Sequence, residues 1–224
     1  MSTRSTTRTL TVGALIGAFA IGGCASLNNT ERGGLIGAAA GAAAGAAIGD
    51  NTAKGAIIGA ALGGTAGAII GRRMDQKAEE LRRQLDNATV ERVGEGILIT
   101  FDSGILFDFD SAALRPEART NLAQLAVTLE DMEDDAVLMV AGHTDSVGDE
   151  IYNLRLSERR AEAAANFVVS AGLPRGNVQA VGLGETEPVA TNETEAGRQE
   201  NRRVEVAIYA SEEYQQEVLS RGGS

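Results

Sequence analysis

"AVLMVAGHTDSVGDEIYNLRLSERRAEAAANFVVSAG", Ala136 to Gly172, holds both periodicities from which the fold is built. Ala136 to Gly142 is a short, unbroken apolar run, the pattern of a strand buried on both faces. A polar loop follows. From Ile151 onward, Leu156, Ala164, Phe167 and Ala171 recur on one face of a helix, closed by Gly172 with Pro174 just beyond. Upstream, "RPEARTNLAQLAVTLEDM" reads as another helix: Pro116 suits its first turn, and Ala118, Leu122, Leu125, Leu129 and Met132 form its buried stripe. "TVERV" and "GILITF" flank the turn "GEG" as a hairpin. Downstream, "VQAVGLG" is a third strand, "EAGRQENRR" a short helix or turn, and "VEVAIYA" alternates like an edge strand. Residues 94–211 therefore form an α+β domain in the order β-α-β-α-β-β, long enough to bury one core. The polar tail 212–224 is expected to fray.

The same stretch carries the candidate chemistry. His143 is the only histidine, two residues before Asp145. A catalytic triad converges from separate elements, and His143, Asp145 and Ser146 are near neighbours at one strand end. The spacing of His143, Asp145 and Asp149 fits neither of the common helical or loop metal motifs. Neither catalysis, a metal nor a cofactor is expected, and recognition remains. Arg160 shares the inward face with Leu156 and Ala164, whereas Arg159 lies about 100° around the helix, toward solvent. An inward arginine needs a partner. That partner is Asp145, another carboxylate, or a zwitterionic ligand that Asp145 and Arg160 bind together.

The ends bound where the chain works. Net charge is −11, and no basic patch with interleaved aromatics suggests nucleic-acid binding. Arg4 and Arg8 precede the apolar run Leu10 to Gly23, so residues 1–23 read as a secretory signal peptide. The single cysteine, Cys24, follows in "IGGCAS", which resembles a bacterial lipobox; the alternative is a cleaved signal with a stray cysteine. Residues 24–32 would then be a lipidated tether, and Ala25 in place of Asp after the cysteine implies, by resemblance to sorted bacterial lipoproteins, export to the outer membrane. Residues 33–73 carry glycine every fourth position, from Gly33 to Gly49 and from Gly55 to Gly71. Two such runs about a polar turn predict a glycine-zipper helical hairpin that inserts in a membrane or self-associates; the alternative is a flexible spacer. Residues 74–93 form a connector helix and linker, with Met74, Ala78, Leu81, Leu85 and Ala88 as a narrow stripe. Arg72 and Arg73 suit a membrane edge.

"GHTDSVG", "YNLRLSERRA" and "VGLGETEPVATNETEAGRQENRRVEV" together resemble the OmpA-like peptidoglycan-binding domain. With the lipobox and zipper, nearly the whole chain resembles outer-membrane lipoproteins of the YiaD type. The resemblance implies binding of the diaminopimelate in the peptidoglycan stem peptide, with Asp145 meeting its ammonium and Arg160 its carboxylate. It adds Thr144, Asn153, Arg202 and Arg203 as contacts near the ligand and makes His143 structural or peripheral. The implied role is a tether from outer membrane to cell wall. The alternative is a structural membrane protein whose zipper forms oligomers or a pore.

Overall fold

A computed structural model describes residues 51–222. The signal peptide, Cys24 and the first glycine run lie outside the described residues. The elements are α1 (Thr52–Gly59), α2 (Gly64–Gln84), β1 (Ala88–Val93), β2 (Gly96–Asp102), a single turn α3 (Ser103–Leu106), α4 (Pro116–Thr128), β3 (Ala136–His143), α5 (Glu150–Ser170), β4 (Val178–Gly184), α6 (Glu195–Asn201), β5 (Arg203–Ala210) and α7 (Glu212–Gly222).

The five strands form one sheet in the order β1-β2-β5-β3-β4. Only β3 and β4 run parallel; the other pairs are antiparallel. Register puts Ile99, Val206 and Val140 side by side. Because side chains alternate, Ile97, Ile99, Phe101, Val204, Val206, Ile208, Leu138 and Val140 point to one face. There they pack against the stripes of α2, α4, α5 and α7. Leu98, Val137, Met139, Ala141, Ala207 and Tyr209 point to the other, where Ala53, Ala56 and Ile57 of α1 cover them. All eight residues of β5 are buried, so the strand that alternates like an edge is central. Its polar members, Arg203 and Glu205, mimic an exposed face because they neutralise each other while buried. β4, apolar in sequence, is the edge beyond β3.

The expected stripe is buried throughout, Ala118, Leu122 and Leu125 on α4 and Leu129 and Met132 in the cap and 3-10 turn that follow it, since α4 ends at Thr128. The connector stripe is not free-standing. Met74, Ala78 and Leu81 are fully buried in the main core, and β1 completes the sheet. The tail also differs from expectation. α7 forms there, seating Tyr214 and Val218 in the core, and the Tyr214 ring lies under Arg73 with the guanidinium 5.2 Å from its centroid. Two apolar residues in a polar segment are too weak a pattern to announce a helix.

The second glycine run is also put to a different use. It breaks at Ala60–Gly63 into α1 and the start of α2, which clasp opposite faces of the sheet. Among the described residues, no helix is long and apolar enough to cross a membrane. Close approach is still what glycine provides. A Cβ on Gly67 would meet the Glu95 carboxylate, which accepts from the backbone N–H groups of Leu62 (2.9 Å) and Gly63 (2.7 Å). The contact is with a carboxylate and not with a second helix.

Candidate functional site: a two-signed cleft at one end of the sheet

The site forms where β3 ends. Helix α5 lies unusually close to β3 and β4: a Cβ on Gly142 would sit 2.4 Å from the Ser157 carbonyl oxygen, and one on Gly182 would sit 2.4 Å from the Glu158 nitrogen. This close seating brings Asn153 and Arg160 of α5 against the loop that follows β3. Asp149 caps the helix, its carboxylate accepting from the Tyr152 N–H at 3.0 Å.

Asp145 stands in that loop, 7% exposed. Its Oδ1 accepts from the Val147 N–H at 3.0 Å, and its Oδ2 accepts from Arg202 Nη1 at 2.5 Å. Asn153 fixes the loop from below, its Nδ2 donating to the carbonyls of Asp145 (3.3 Å) and Val147 (3.2 Å) and to Glu185 (3.0 Å). Thr144 is buried, and its hydroxyl has no hydrogen-bond partner among the described residues.

Arg160 comes from the other wall. It too is 7% exposed, with Nε donating to the Ser111 carbonyl at 2.9 Å and its guanidinium 5.3 Å from the centroid of the Phe107 ring. Burial pulls its pKa below the ordinary arginine value, although Asp110 and Tyr152 oppose the shift. It remains a cation, since arginine titrates far above neutrality. Among the described residues its two Nη groups donate to no protein acceptor, so the planar end of the fork is free. Arg202 is different. Burial works against its charge, but its hydrogen bonds to Asp145 and Glu195 outweigh this and raise its pKa. Glu195 also holds Arg198, and these two arginines lower its pKa.

Asp145, Arg160, Asn153, Thr144 and Arg202 thus line one cleft of about 490 Å³. Arg203 does not. It lies on the α1 face of the sheet, bonded to Glu205 (2.7 Å) and to the Glu187 carbonyl (3.1 Å). Arg202 and Arg203 are adjacent in a strand entry, so they point to opposite sides. His143 is also absent from the cleft lining. It is 1% exposed beside Glu205, and burial together with Arg203 lowers its pKa to about 4, so it is neutral at pH 7. The cleft is lined instead by carboxylates, Asp110, Asp145 and Glu195, and by guanidinium groups, Arg160, Arg198 and Arg202, so it presents both signs of charge.

Sequence reasoning missed the far rim. Phe109 is fully exposed there, and Asp110 takes a left-handed φ of 55° and accepts from the Tyr152 hydroxyl. "FDFD" in a polar loop was the available signal: an exposed aromatic between acids has no role in a core.

Residues 106–202 match the OmpA family, and residues 1–75 match the YMGG-like Gly-zipper. The outer-membrane lipoprotein YfiB of Pseudomonas aeruginosa is 44% identical over 116 residues, covering 52% of this chain and 68% of that protein. The chain belongs to the OmpA family. Within the family it is also similar to the probable lipoprotein YiaD of Escherichia coli, 34% identical over 60% of this chain and 62% of that one. Among solved structures, the cell wall anchor of the T6SS from Pseudomonas aeruginosa is 30% identical with a TM-score of 0.53, covering 62% of this chain and 99% of that one. A putative MotB like protein from Desulfovibrio vulgaris, 22% identical, has a TM-score of 0.57 over 64% of this chain and 94% of that one and shares the fold. The OmpA-family match spans the cleft's two walls.

Proposed function

We propose that this OmpA-family chain is an outer-membrane lipoprotein that binds peptidoglycan without covalent attachment and so tethers the membrane to the wall. The ligand is the diaminopimelate of the stem peptide, whose side chain ends in one ammonium and one carboxylate on the same carbon. Asp145 accepts from the ammonium. The free Nη groups of Arg160 donate two parallel hydrogen bonds to the carboxylate. The Thr144 hydroxyl, buried in the lining without a partner, gives the ligand a further polar contact. Asn153 holds the Asp145 loop in shape, and Arg202 orients the Asp145 carboxylate.

The observation that carries this reading is the arrangement of opposite charges. A fixed carboxylate and an unengaged guanidinium fork face one cleft and do not neutralise each other. Support also comes from the relatives: two are named lipoproteins, one of them of the outer membrane, and a structural neighbour is a cell wall anchor. Lipid on Cys24 supplies the membrane end, and stable anchoring needs more than one acyl chain.

Sedimentation with purified sacculi tests the wall end. Wild type and Arg159→Ala are expected in the pellet, because Arg159 is exposed about 100° around the helix from Arg160 and does not line the cleft. Asp145→Ala and Arg160→Ala should stay in solution, each losing about 2–5 kcal/mol of binding. Folded, fully sedimenting forms of both variants would defeat the proposal. Labelling with a radioactive fatty acid tests the membrane end: Cys24→Ser should carry none.

A further inference from the structure

The diaminopimelate head engages one acid and one arginine of the cleft, Asp145 and Arg160, and Arg202 orients that acid. Two charged residues of the lining, Glu195 and Arg198, have no part in that scheme. Both belong to α6.

Arg198 stands four residues before Arg202, about 6 Å away along the helix axis. Its Nε and Nη2 donate to Glu195 Oε2 at 3.1 and 2.6 Å, and its Nη1 donates to the Asn192 carbonyl at 3.0 Å. A guanidinium carries five N–H groups. One on each Nη of Arg198 therefore still lacks a protein acceptor among the described residues. Glu195 is divided between two cations: Oε2 serves Arg198, and Oε1 accepts from Arg202 Nη2 at 2.8 Å. Its side chain is 68% exposed, against 24% for Arg198 and 33% for Arg202. The two arginines are thus seated in the wall, and the acid lies over them on the solvent side. An ion pair with so exposed an acid holds weakly, so an incoming anion can take its place.

We infer that Arg198 is a second carboxylate subsite of the cleft, with Glu195 as a resident counterion that a carboxylate of the ligand displaces. The inference rests on the peptidoglycan reading of the cleft and names what is bound beside the diaminopimelate head. That head ends a side chain, three methylenes from the peptide backbone. With the head between Asp145 and Arg160, the backbone emerges on the solvent side, which Glu195 marks. The rest of a stem peptide acylated at its N-terminus bears carboxylates and no further ammonium. Two carboxylates flank the diaminopimelate: the α-carboxylate of the γ-linked glutamate before it, and the terminal carboxylate of the alanine after it. Arg198 offers charge and paired N–H donors to either. The competing account makes Arg198 an anchor only. It holds the Asn192 carbonyl, and Asn192 Oδ1 accepts from the Ser146 N–H of the Asp145 loop.

Calorimetry of the full chain in detergent separates the two accounts. The probes are three N-acetylated tetrapeptides of alanine, γ-linked glutamate, diaminopimelate and alanine. One is unmodified, one has the glutamate α-carboxylate as an amide, and one has the terminal carboxylate as an amide. Wild type should bind one of the two amides about tenfold more weakly than the unmodified peptide, and that amide identifies the carboxylate bound. Arg198→Gln should lose the same factor on the unmodified peptide and cease to discriminate. Glu195→Gln should bind the unmodified peptide about threefold more tightly than wild type, with no gain on the discriminated amide. A gain of affinity is a result that damage to the fold does not produce, so this variant decides even if Arg198→Gln melts early. Equal binding of all three peptides by wild type overturns the subsite and leaves the diaminopimelate reading standing. Loss on all three alike in Arg198→Gln, with no gain in Glu195→Gln, overturns it in favour of the anchor. Failure of wild type to bind any of them overturns both the subsite and the proposed ligand.

Discussion

Asp145 and Arg160 line one cleft but are held by different partners: Asp145 Oδ2 accepts from Arg202 Nη1 at 2.5 Å, and Arg160 Nε donates to the Ser111 carbonyl at 2.9 Å. The arrangement is poised for a ligand and not closed on itself. Arg202 prevents Asp145 from collapsing onto Arg160, and the Phe107 ring and Ser111 keep the Arg160 fork oriented.

This division of labour predicts what a conservative substitution does. Arg160→Lys keeps the charge but loses the planar fork, so it can make only one hydrogen bond to the ligand carboxylate. Affinity for a diaminopimelate stem peptide should fall by about 1–3 kcal/mol, in the range of a charge-assisted hydrogen bond. A stem peptide with lysine lacks that carboxylate. It should bind weakly to wild type and be little changed by the substitution. Calorimetry with the two peptides decides, and a similar loss on both would mean that Arg160 acts through the fold.

The close seating of α5 makes a second prediction. Gly142→Ala places a methyl group 2.4 Å from the Ser157 carbonyl oxygen, a backbone atom that cannot step aside alone. The helix must lift, at about 1–3 kcal/mol, and Asn153 and Arg160 lift with it. Thermal melting should show the destabilisation, and wall binding should weaken although no ligand contact has been removed. Unchanged melting would mean that the helix seat is looser than described.

His143 predicts a pH dependence. Its pKa is about 4 in the fold against 6.5 as the ordinary value, so the unfolded chain binds a proton that the folded chain refuses. Stability is therefore complete above about pH 6.5 and declines as pH falls toward 4, by on the order of 3 kcal/mol in all. Below pH 4 both states are protonated and this contribution is gone. His143 is the only histidine, and the lowered carboxylates Glu195 and Glu205 add to the slope only nearer pH 5, so the slope between pH 5.5 and 6.5 is mainly its own. Denaturant titrations across that range should show the slope in wild type and not in His143→Gln.

The strands, the two long helices and the two-signed cleft were legible because each is a local pattern. Periodicity placed Arg160 inward and Arg159 outward, and both lie where that reading put them. Illegible parts depended on contacts across the fold. β5 resembles an edge strand because Arg203 and Glu205 are polar, and they are buried because they pair with each other and with the Glu187 carbonyl and Asn51. Arg203 cannot be separated from Arg202 by motif; a strand sends neighbours to opposite faces, and which one meets the cleft depends on register. The second glycine run is periodic enough to suggest helix against helix. It serves helix against sheet, because the apolar side chains among its glycines match the open face carrying Leu98, Met139 and Ala207.

That reassignment of the glycines leads to the last prediction. If the second run served only to pack helices in lipid, every glycine in it would matter similarly. The fold makes them unequal. Gly67 faces the Glu95 carboxylate, where a Cβ would lie 1.9 Å from Oε1, whereas Gly71 has only the end of the Arg92 side chain at 3.6 Å. In Gly67→Ala the carboxylate must swing away and abandon the N–H groups of Leu62 and Gly63. Alanine favours the helix by about 1 kcal/mol relative to glycine, and losing two charge-assisted hydrogen bonds costs about 2–3 kcal/mol at this partly exposed site. Gly67→Ala should therefore be destabilised by about 1–2 kcal/mol, the difference of these terms. Gly71→Ala, also helical but with an ordinary contact, should be neutral or slightly stabilised. Adding Glu95→Ala removes the clash and the bonds together, so Gly67→Ala in that background should become as harmless as Gly71→Ala. Chemical denaturation of the four proteins forms a double-mutant cycle at Gly67 and Glu95. A coupling near zero would mean that the corner is not held by this carboxylate.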